Sequence, residues 1–452
     1  MELKKFFQKV DEQHDRMIQE VFDSIKQPSV SAQKIGLEDM ADLLVEKMNS
    51  IGIKTQKFPL QEGSPSVVFG EIKGKSDKTL LFYNHYDTQP PEPLDLWVSP
   101  PFEPEVRDGK MYGRGIADNK GPLFTRLHAI RTILELEGQL PINVKFIIDS
   151  EEEIGSPHLQ PFIMANKELL KADACIWEFC AKDEMGRPGA YLGNKGLLYV
   201  ELRVKAAASD YHSKMAAVIP SAAWRLVWAL STLKDANENI LIDGFYSQMR
   251  DTLKEEYDLL LPFAAEAEKV RTRANIKEFV KQAEGIEYAK QLFNAPTCNI
   301  SGISSGYTGN GSKTVLPCYA MAKLDFRLVV DQDPAEILNL LRTHLDKHGF
   351  EDVEIHTLSG CKPSKTLPNT PFLDVVLESG KQVYDKPFIV GPTMPGTGPR
   401  ELFSQWTDMP IVALGPGYPG SKNHAPNENL VLTDYFEAVK HIIALLYQYA
   451  KK

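Results

Sequence analysis

The segment "TLLFYNHYD" (residues 79–87) is a run of apolar residues that ends abruptly in polar ones. "INVKFIIDSEEEIGS" (142–156) and "DACIWEF" (173–179) repeat this pattern, and a stretch with helical periodicity, 125–136, separates the first two runs. Strands that alternate with helices predict an α/β fold, with a mostly parallel sheet and helices on both faces. In such sheets ligands bind beyond the carboxyl ends of the strands, where the polar residues of all three runs lie.

The pattern of apolar and polar residues changes near residue 196, which indicates a second domain inserted into the first. "GLLYVELRVKAAA" (196–208) and "YAMAKLDFRLVV" (319–330) alternate like strands with one exposed face, and "PAEILNLLRTHLDKHG" (334–349) has a helical period. We therefore expect a catalytic domain over 1–195 and 361–452, and an inserted α+β domain over 196–360. Further helices are predicted over 1–27 and 31–51, within 244–292, and from Tyr435 to Tyr449.

The composition is that of a globular protein, since 43% of the 452 residues are hydrophobic and 25% are charged. The net charge of −10 argues against binding to nucleic acid or to anionic membranes, which attract basic surfaces.

Five cysteines without a CxxC pair favour reduced thiols. Because the N-terminal segment lacks a signal-peptide core and no run of 18 apolar residues exists, we expect a cytoplasmic protein. The P-loop spacing is also absent, which excludes that class of phosphoryl transferases.

Histidine and acidic residues near the ends of the apolar runs are candidate metal ligands. His85, Glu153 and Glu178 follow or end the three runs, Asp118 lies in "GRGIADNKG" (113–121), and His424 lies in the turn-rich "SKNHAPNENL" (421–430). Mixed nitrogen and oxygen ligation suits zinc, with cobalt or manganese as alternatives. Taken singly, each residue has a common structural role, such as a turn histidine, a solvated acidic loop or a helix N-cap. Their joint placement favours a metal site.

Five ligands exceed the three that a single catalytic zinc ion usually takes, which suggests two metal ions. His85 and Glu178 would bind one ion, Glu153 and His424 would bind the other, and Asp118 would bridge both. This arrangement is used by hydrolases, including aminopeptidases.

Two further acidic residues lie next to these candidates in the sequence. Asp87 is two residues after His85, so on a strand both point to one side, and Asp87 could hold the second nitrogen of the imidazole. Glu152 and Glu153 are adjacent and cannot easily do the same job. This suits one of them as a ligand and the other as a general base.

Five blocks of the sequence resemble, in order, the motifs of one enzyme family: "NHYDTQP" (84–90), "PPFEPEVRDGKMYGRGIADNKGP" (100–122), "EEEIGS" (151–156), "TGNGSKTVLP" (308–317) and "NHAPNENL" (423–430). They resemble the di-zinc metallohydrolases that include carnosine dipeptidase, aminoacylase-1, glutamate carboxypeptidase and succinyl-diaminopimelate desuccinylase. The length and the inserted-domain motifs are most similar to the carnosine dipeptidase branch. The resemblance implies a zinc-peptidase catalytic domain with an inserted lid domain that also forms a homodimer contact.

The resemblance also implies roles for the residues of the first domain. The five candidate ligands would bind two zinc ions. Asp87 would orient or tune His85, and Glu152 would be the general base.

Other roles implied by the resemblance fall outside the metal centre. His212 in "SDYHSKMAA" (209–217) matches a lid histidine that reaches the partner subunit's active site and stabilises the oxyanion. Arg327 resembles an arginine that clamps a substrate carboxylate. Thr314 and the "GTGP" turn (396–399), with Gly396 and Thr397, resemble further substrate contacts. The "QPPEPLDLW" loop (89–97) either shapes the cleft or covers a sheet edge.

Together these roles imply metal-dependent hydrolysis of an amide bond in small peptides, of the dipeptidase or carboxypeptidase type. A zinc-activated bridging water would lose its proton to Glu152 and attack the scissile carbonyl, while His212 would stabilise the oxyanion. An N-acyl-amino-acid deacylase or desuccinylase with the same site is the alternative. A non-catalytic binding protein with this fold is a rival from another class.

Two positions depart from the family pattern. The lid motif usually reads HSG, whereas here Ser213 is followed by Lys214. Dipeptidases and aminopeptidases of the family tend to have Asp at the position of Glu178, and acylases and carboxypeptidases tend to have Glu. Glu178 is therefore typical of the acylases and carboxypeptidases, whereas the length and the lid motifs favour a dipeptidase.

Overall fold

The computed structural model describes residues 3–60 and 64–452, which fall into two compact units. The first unit comprises the chain up to Gly193, together with Thr366–Pro392 and Leu402–Lys452. The second unit comprises Asn194–Lys365 and Thr393–Glu401. The segment Thr393–Glu401 thus groups with the second unit, whereas the sequence analysis placed it in the first domain. The lid and dimerisation roles of the second unit stay predictions.

Helices occur in both units, and none in the described residues has the length and apolarity needed to cross a membrane. The helix predicted over 1–27 is two helices, because Gln13 leaves the helical conformation with φ −111° and ψ 14°; its first two residues lie outside the described ones. In chain order the α-helices are α1 (Lys4–Glu12), α2 (His14–Lys26), α3 (Leu37–Ser50), α4 (Lys120–Glu137), α5 (Leu159–Ala165), α6 (Ala222–Ser231), α7 (Lys254–Ala264), α8 (Ala267–Ala274), α9 (Gly285–Asn294), α10 (Pro334–Lys347), α11 (Pro371–Gly380), α12 (Glu401–Ser404) and α13 (Leu432–Lys451).

The strands form one large sheet in the first unit, a smaller sheet in the second, and several short pairings. In chain order they are β1 (Lys54–Pro59), β2 (Ser66–Ile72), β3 (Gly74–His85), β4 (Glu105–Arg107), β5 (Lys110–Tyr112), β6 (Leu140–Asp149), β7 (Ala174–Trp177), β8 (Gly189–Tyr191), β9 (Gly193–Asn194), β10 (Gly196–Lys205), β11 (Tyr211–His212), β12 (Asn299–Ser305), β13 (Val315–Leu316), β14 (Tyr319–Leu328), β15 (Glu354–Cys361), β16 (Ser364–Lys365), β17 (Ile389–Gly391), β18 (Ile411–Ala413) and β19 (Asn429–Val431).

The sheet of the first unit has the order β1-β2-β6-β3-β7-β18-β8-β17. Its central strands β6, β3, β7 and β18 run parallel, and β1 and β2 join antiparallel at one side. The prediction of an α/β fold with a mostly parallel central sheet is therefore confirmed. The apolar runs become central strands because both of their faces are buried.

Helices α4 and α13 pack together beside this sheet. Gly138 follows the last residue of α4 and has a left-handed φ of 70°. Its N–H bonds to Leu134 O, which is a common way for a helix to end. A small sheet of β19, β5 and β4 pairs Leu430 with Met111. It thereby brings the loop that contains His424 close to the loop that contains Asp118.

The second unit is built on an antiparallel sheet with the order β12-β14-β10-β15. Strand β14 alternates between buried residues with even numbers and partly exposed residues with odd numbers, as the sequence pattern predicts. Helices α6 and α10 contact the sheet, and their apolar residues join its buried face in one core. Arg327 is odd-numbered and therefore lies on the face away from this core.

Candidate active site

Three parallel strands of the first unit end side by side at the candidate site. β3 ends at His85, which pairs with Asp149 at the end of β6, and β7 ends just before Glu178. Because parallel strands have their carboxyl ends at one edge of the sheet, these side chains meet there with the turn that follows β6. His85 and Glu178 are both buried.

Two groups of possible ligand atoms share the Asp118 carboxylate. In the first group, His85 Nε2 lies 3.0 Å from Asp118 Oδ1 and 3.6 Å from Glu178 Oε2. In the second group, His424 Nε2 lies 3.3 Å from Asp118 Oδ2 and 3.1 Å from Glu153 Oε2. Each group contains one imidazole nitrogen and two carboxylate oxygens, and each takes a different oxygen of Asp118.

The donor set of these groups fits divalent metal ions. Tetrahedral zinc with bonds of about 2.0–2.1 Å separates neighbouring ligand atoms by about 3.3–3.4 Å, close to the spacings in both groups. Three ligand atoms, one from each of His85, Asp118 and Glu153, lie within 4.8 Å of one another. Glu178 Oε2 is buried and has no hydrogen-bond partner among the described residues, which is costly for a carboxylate oxygen unless a cation is near. The residues therefore form a candidate metal centre.

The site gathers more negative charge than its histidines balance. Burial raises the pKa of Glu178 to about 8. The charge of His85 opposes this shift, and repulsion from Asp118 adds to it. Burial and the charge of Glu178 raise the pKa of Glu152 well above its ordinary value. Cations bound between these carboxylates would relieve the repulsion and favour the ionised forms.

Asp87 holds both a candidate ligand and the turn after β6. Its Oδ1 lies 3.3 Å from His85 Nδ1 and accepts the Glu152 N–H at 3.1 Å. Its Oδ2 accepts the Glu153 N–H at 3.0 Å. His85 Nδ1 also lies 3.1 Å from the main-chain O of Asp87, and a contact with either oxygen can orient a ligating imidazole. The sequence analysis did not predict the contacts with the main chain of the turn.

Glu152 opens a short 3-10 turn, Glu152–Ile154, and its side chain is half-buried. Its carboxylate forms no hydrogen bond to the described part of the chain. Its charge interacts most strongly with that of Glu178, and also with those of His85 and Glu153. A carboxylate without a fixed partner next to the ligand atoms is available to accept a proton.

Glu428 fixes the main chain that carries Asp118. Its Oε1 accepts the N–H groups of Ala117 and Asp118 at 2.8 and 2.9 Å. Its Oε2 accepts the Gly115 N–H at 2.9 Å and a hydrogen bond from Arg114 Nη1 at 2.8 Å. This buried carboxylate thus aims the shared Asp118 side chain at both groups.

In the second unit, His212 and Thr314 lie on adjoining segments. β11 pairs with β13 so that His212 is opposite Val315, and Thr314 O accepts the Ser213 N–H at 2.9 Å. His212 is exposed, and its Nδ1 accepts the Lys214 N–H at 3.2 Å. Because Lys214 makes this contact through its main chain, the departure from the HSG motif does not remove it.

Arg327, Gly396 and Thr397 form a second group in this unit. Arg327 Nη1 donates to Thr397 Oγ1 at 2.6 Å, and Gly396 O accepts the Lys195 N–H at 3.1 Å. Lys195 is buried, and its Nζ donates to Ala295 O at 2.6 Å. Burial, together with the charge of Arg327, lowers the pKa of Lys195 to about 8. No described carboxylate pairs with either cation, so the group is suited to an anion.

The predicted site residues thus fall into three groups, and the described contacts do not link His212 and Thr314 to the Arg327 group. Sequence reasoning missed Lys195 and Glu428, although Glu428 lies inside a motif that the resemblance used. Neither Lys195 nor Glu428 belongs to a periodic pattern or a characteristic spacing in the sequence. The role of each depends on contacts with distant segments. The seven residues that meet in the first unit are His85, Asp87, Asp118, Glu152, Glu153, Glu178 and His424.

Comparison with known proteins agrees with this geometry. The model of "Peptidase family M20/M25/M40" matches residues 81–448. The chain is 25% identical over 477 residues to a Beta-Ala-His dipeptidase of Rattus norvegicus, covering 99% of this chain and 96% of the relative. It is 27% identical over 480 residues to the Cys-Gly metallodipeptidase dug1 of Schizosaccharomyces pombe, covering 100% and 99%.

Among solved structures, the M20 family metallo-carboxypeptidase Sso-CP2 from Sulfolobus solfataricus is 38% identical to the chain. It superposes with a TM-score of 0.91 over 96% of this chain and 99% of that one. The resemblance drawn from the motifs is confirmed, and the protein is a metal-dependent hydrolase of peptide bonds. The chain belongs to peptidase family M20/M25/M40.

Proposed function

We propose that the protein is a dipeptidase that cleaves small peptides carrying a free terminal carboxylate. The observation that carries this proposal is the pair of ligand groups that share Asp118 and lie beside the unpartnered Glu152 carboxylate. The names of the relatives, a Beta-Ala-His dipeptidase, a Cys-Gly metallodipeptidase and a metallo-carboxypeptidase, support a small peptide as substrate.

We assign His85, Asp118, Glu153, Glu178 and His424 as the ligands of two divalent ions. Zinc suits the mixed imidazole and carboxylate donors, with cobalt or manganese as alternatives. When bound, such ions polarise the scissile carbonyl and make water nucleophilic near neutral pH. Asp87 keeps the His85 ring in the orientation that ligation requires.

Glu152 acts as the general base in this proposal. It accepts a proton from the attacking water and passes it to the nitrogen of the leaving amine. Bound cations would favour its ionised form, in which the carboxylate can accept the proton. His212 donates a hydrogen bond to the oxyanion, with Nε2 available because Nδ1 is bonded to the Lys214 N–H.

The group around Arg327 binds the carboxylate of the leaving residue. Arg327 supplies a planar guanidinium, and Lys195 adds a second positive charge that no described acid neutralises. Thr397, bonded to Arg327, sets the orientation of the guanidinium, and Gly396, whose O accepts the Lys195 N–H, holds the turn next to Lys195. Thr314 lies next to the His212 segment, and we assign it a substrate contact there.

We further propose a homodimer that forms through the second unit. On α6, Trp224 and Trp228 are 59% and 54% exposed although their rings stack with centroids 5.9 Å apart. Edge strand β12 exposes Ile300 and Ile303, and its neighbour β14 is in contact with α6. Exposed aromatic rings and an edge strand with exposed apolar side chains are each typical of an interface between copies. The role assigned to His212 in the partner subunit requires such a dimer.

A cytoplasmic location remains part of the proposal. No disulfide joins the five cysteines within the described residues, and three of them, Cys175, Cys180 and Cys298, are buried. Such thiols are typical of reducing compartments.

The direct test compares substrates on enzyme loaded with Zn²⁺. Ala-Gly and Leu-Gly should be hydrolysed with kcat/KM well above that for N-acetyl-alanine or N-succinyl-alanine, and metal analysis should find two ions per chain. Absence of dipeptide hydrolysis, or less than one ion per chain, would contradict the proposal and favour a non-catalytic binding protein.

A deacylase or desuccinylase is the second candidate, and Glu178 is the observation that favours it. Glutamate at this position resembles the acylases and carboxypeptidases of the family, whereas the curated relatives named above are dipeptidases. Faster turnover of either N-acyl amino acid than of both dipeptides would establish this candidate.

A further inference from the structure

Residues 89–98, here called the apolar loop, begin at the candidate metal centre. Gln89 Nε2 donates to Glu153 Oε2 at 3.0 Å and to Glu153 O at 3.1 Å. The first residue of the loop is therefore bonded to a proposed metal ligand, through both its carboxylate and its main chain.

The other end of the loop is attached to the segment that carries His424. Asn427 Oδ1 accepts the Val98 N–H at 2.9 Å, and Asn427 Nδ2 donates to Leu96 O at 2.8 Å. Asn427 follows His424 by three residues. Both ends of the loop thus join segments of the second ligand group, so the loop runs along that side of the centre.

The middle of the loop is fixed as well. Arg114 Nη2 donates to Pro90 O at 3.2 Å, and Trp97 Nε1 donates to Pro91 O at 2.7 Å. The Arg114 guanidinium also lies 5.3 Å from the centre of the Trp97 ring. Prolines at 90, 91 and 93 fix further backbone angles. The conformation of the loop is thus set before any substrate binds.

This fixed loop exposes three large apolar side chains. Leu94 is 56% exposed, Leu96 59% and Val98 73%. Single exposed apolar residues are common, but three within five positions on a rigid loop indicate a binding surface. Since the conformation is held by hydrogen bonds at both ends, the exposure is not relieved by folding the loop inward.

We propose that Leu94, Leu96 and Val98 bind an apolar side chain on the substrate residue that supplies the scissile carbonyl. This inference rests on the proposed function, in which the scissile carbonyl lies at the metal centre. The residue that supplies this carbonyl is therefore the substrate residue nearest the loop. Consecutive residues are about 3.8 Å apart, so that residue stays next to the segments that carry Glu153 and His424. The inferred substrates are dipeptides with a first residue such as Leu, Met or Phe.

The test compares Leu-Gly with Ser-Gly on Zn²⁺-loaded enzyme. The wild type should prefer Leu-Gly, and the double variant Leu96→Ser/Val98→Ser should lower the ratio of the two kcat/KM values by roughly tenfold, as expected when a pocket loses apolar contact. The kcat/KM for Ser-Gly should change by less than about twofold. Leu96→Met/Val98→Ile should retain the preference for Leu-Gly.

The matched control is Leu367→Ser, which alters another exposed leucine of the first unit and should leave the ratio unchanged. Equal kcat/KM values for both dipeptides in the wild type, or an unchanged ratio in the double variant, would overturn the inference about the loop alone. An unchanged ratio combined with a lower sedimentation coefficient would overturn it too, by making the loop a contact between copies. Hydrolysis of neither dipeptide would overturn the proposed function and this inference with it.

Discussion

Glu428 Oε1 accepts the backbone N–H of Asp118 at 2.9 Å, across 310 positions of the chain. The same carboxylate binds two more N–H groups of the loop and Arg114, so the position of Asp118 is set by a residue that need not touch a metal ion. Residues that support ligands in this way are as important to a metal site as the ligands themselves.

We expect Glu428→Gln to lower the affinity for Zn²⁺ by about 10- to 100-fold, the usual effect of losing a supporting partner. The glutamine amide would direct an NH₂ group at N–H donors that now face a carboxylate oxygen. Competition with a chromogenic chelator measures the affinity, and excess Zn²⁺ should restore part of the activity. Glu378→Gln, an exposed control, should bind Zn²⁺ as the wild type does, and equal affinity in Glu428→Gln would contradict the assignment.

Glu152→Gln should keep both metal ions and lose turnover. The amide has the same shape as the carboxylate but cannot accept the proton, so kcat should fall by about 10²–10⁴-fold. Metal analysis and steady-state kinetics on the same preparation separate the two effects. More than about a tenth of the normal rate, a far smaller loss than general-base removal causes, would exclude Glu152 as the base.

Arg327→Lys should raise KM for dipeptides by about tenfold or more, because a lysine cannot donate two parallel hydrogen bonds to a carboxylate. The kcat should change less, since the contact exists before the transition state forms. Thr397→Val should raise KM in the same direction by removing the acceptor for Arg327, whereas Thr397→Ser keeps it and serves as the control. A KM unchanged in Arg327→Lys would place the carboxylate elsewhere.

Acid should destabilise the first unit in part through His128. Its Nε2 lies 2.9 Å from Glu20 Oε2, and its Nδ1 lies 2.8 Å from the Tyr435 hydroxyl. Burial lowers the pKa of His128 to about 4, below the ordinary value of 6.5. The unfolded chain therefore binds the proton more readily than the folded chain does. The contribution of neutral His128 to the free energy of unfolding is complete above pH 6.5 and is lost as the pH falls toward 4.

From pH 7.5 to pH 4.5 this group should remove about 2 kcal/mol from the free energy of unfolding. Urea denaturation at both pH values measures the free energy of unfolding. Its decrease between the two pH values should be smaller in His128→Gln than in the wild type by the contribution of His128. An equal loss in His128→Gln and the wild type would refute the assignment.

Trp224→Ser/Trp228→Ser should convert the proposed homodimer to a monomer with an intact fold. Both rings are exposed in the single chain, so replacing them costs little in folding but removes the apolar centre of the interface. Sedimentation velocity measures the change, with Trp406→Ser in the first unit as a control. A wild-type chain that sediments as a monomer would refute the dimer.

The sequence predicted the parts of the fold that follow from local pattern. The apolar runs before His85 and Glu178 became central strands, because a continuous apolar run is stable only where both faces are covered. The break at Gln13 and the grouping of Thr393–Glu401 with the second unit were missed, since no local sequence pattern marks either of them.

The candidate site shows the same division. His85, Asp118, Glu153, Glu178 and His424 were found because their residue types bind metals and their motifs recur in the family. Glu428 and Lys195 carry no such signal: a glutamate in a turn and a lysine before a strand are usually solvated. Only the folded chain shows that both are buried and what they contact.

The shared Asp118 and its distant support also constrain how the enzyme is made. His424 and Glu428 follow His85, Asp118 and Glu153 in the chain and are therefore synthesised after them. A nascent chain can fold its amino-terminal strands first, yet it has neither the second histidine nor the carboxylate that aims Asp118. The second ligand group, and with it the two-ion centre proposed for hydrolysis, can therefore be completed only after His424 and Glu428 have been synthesised.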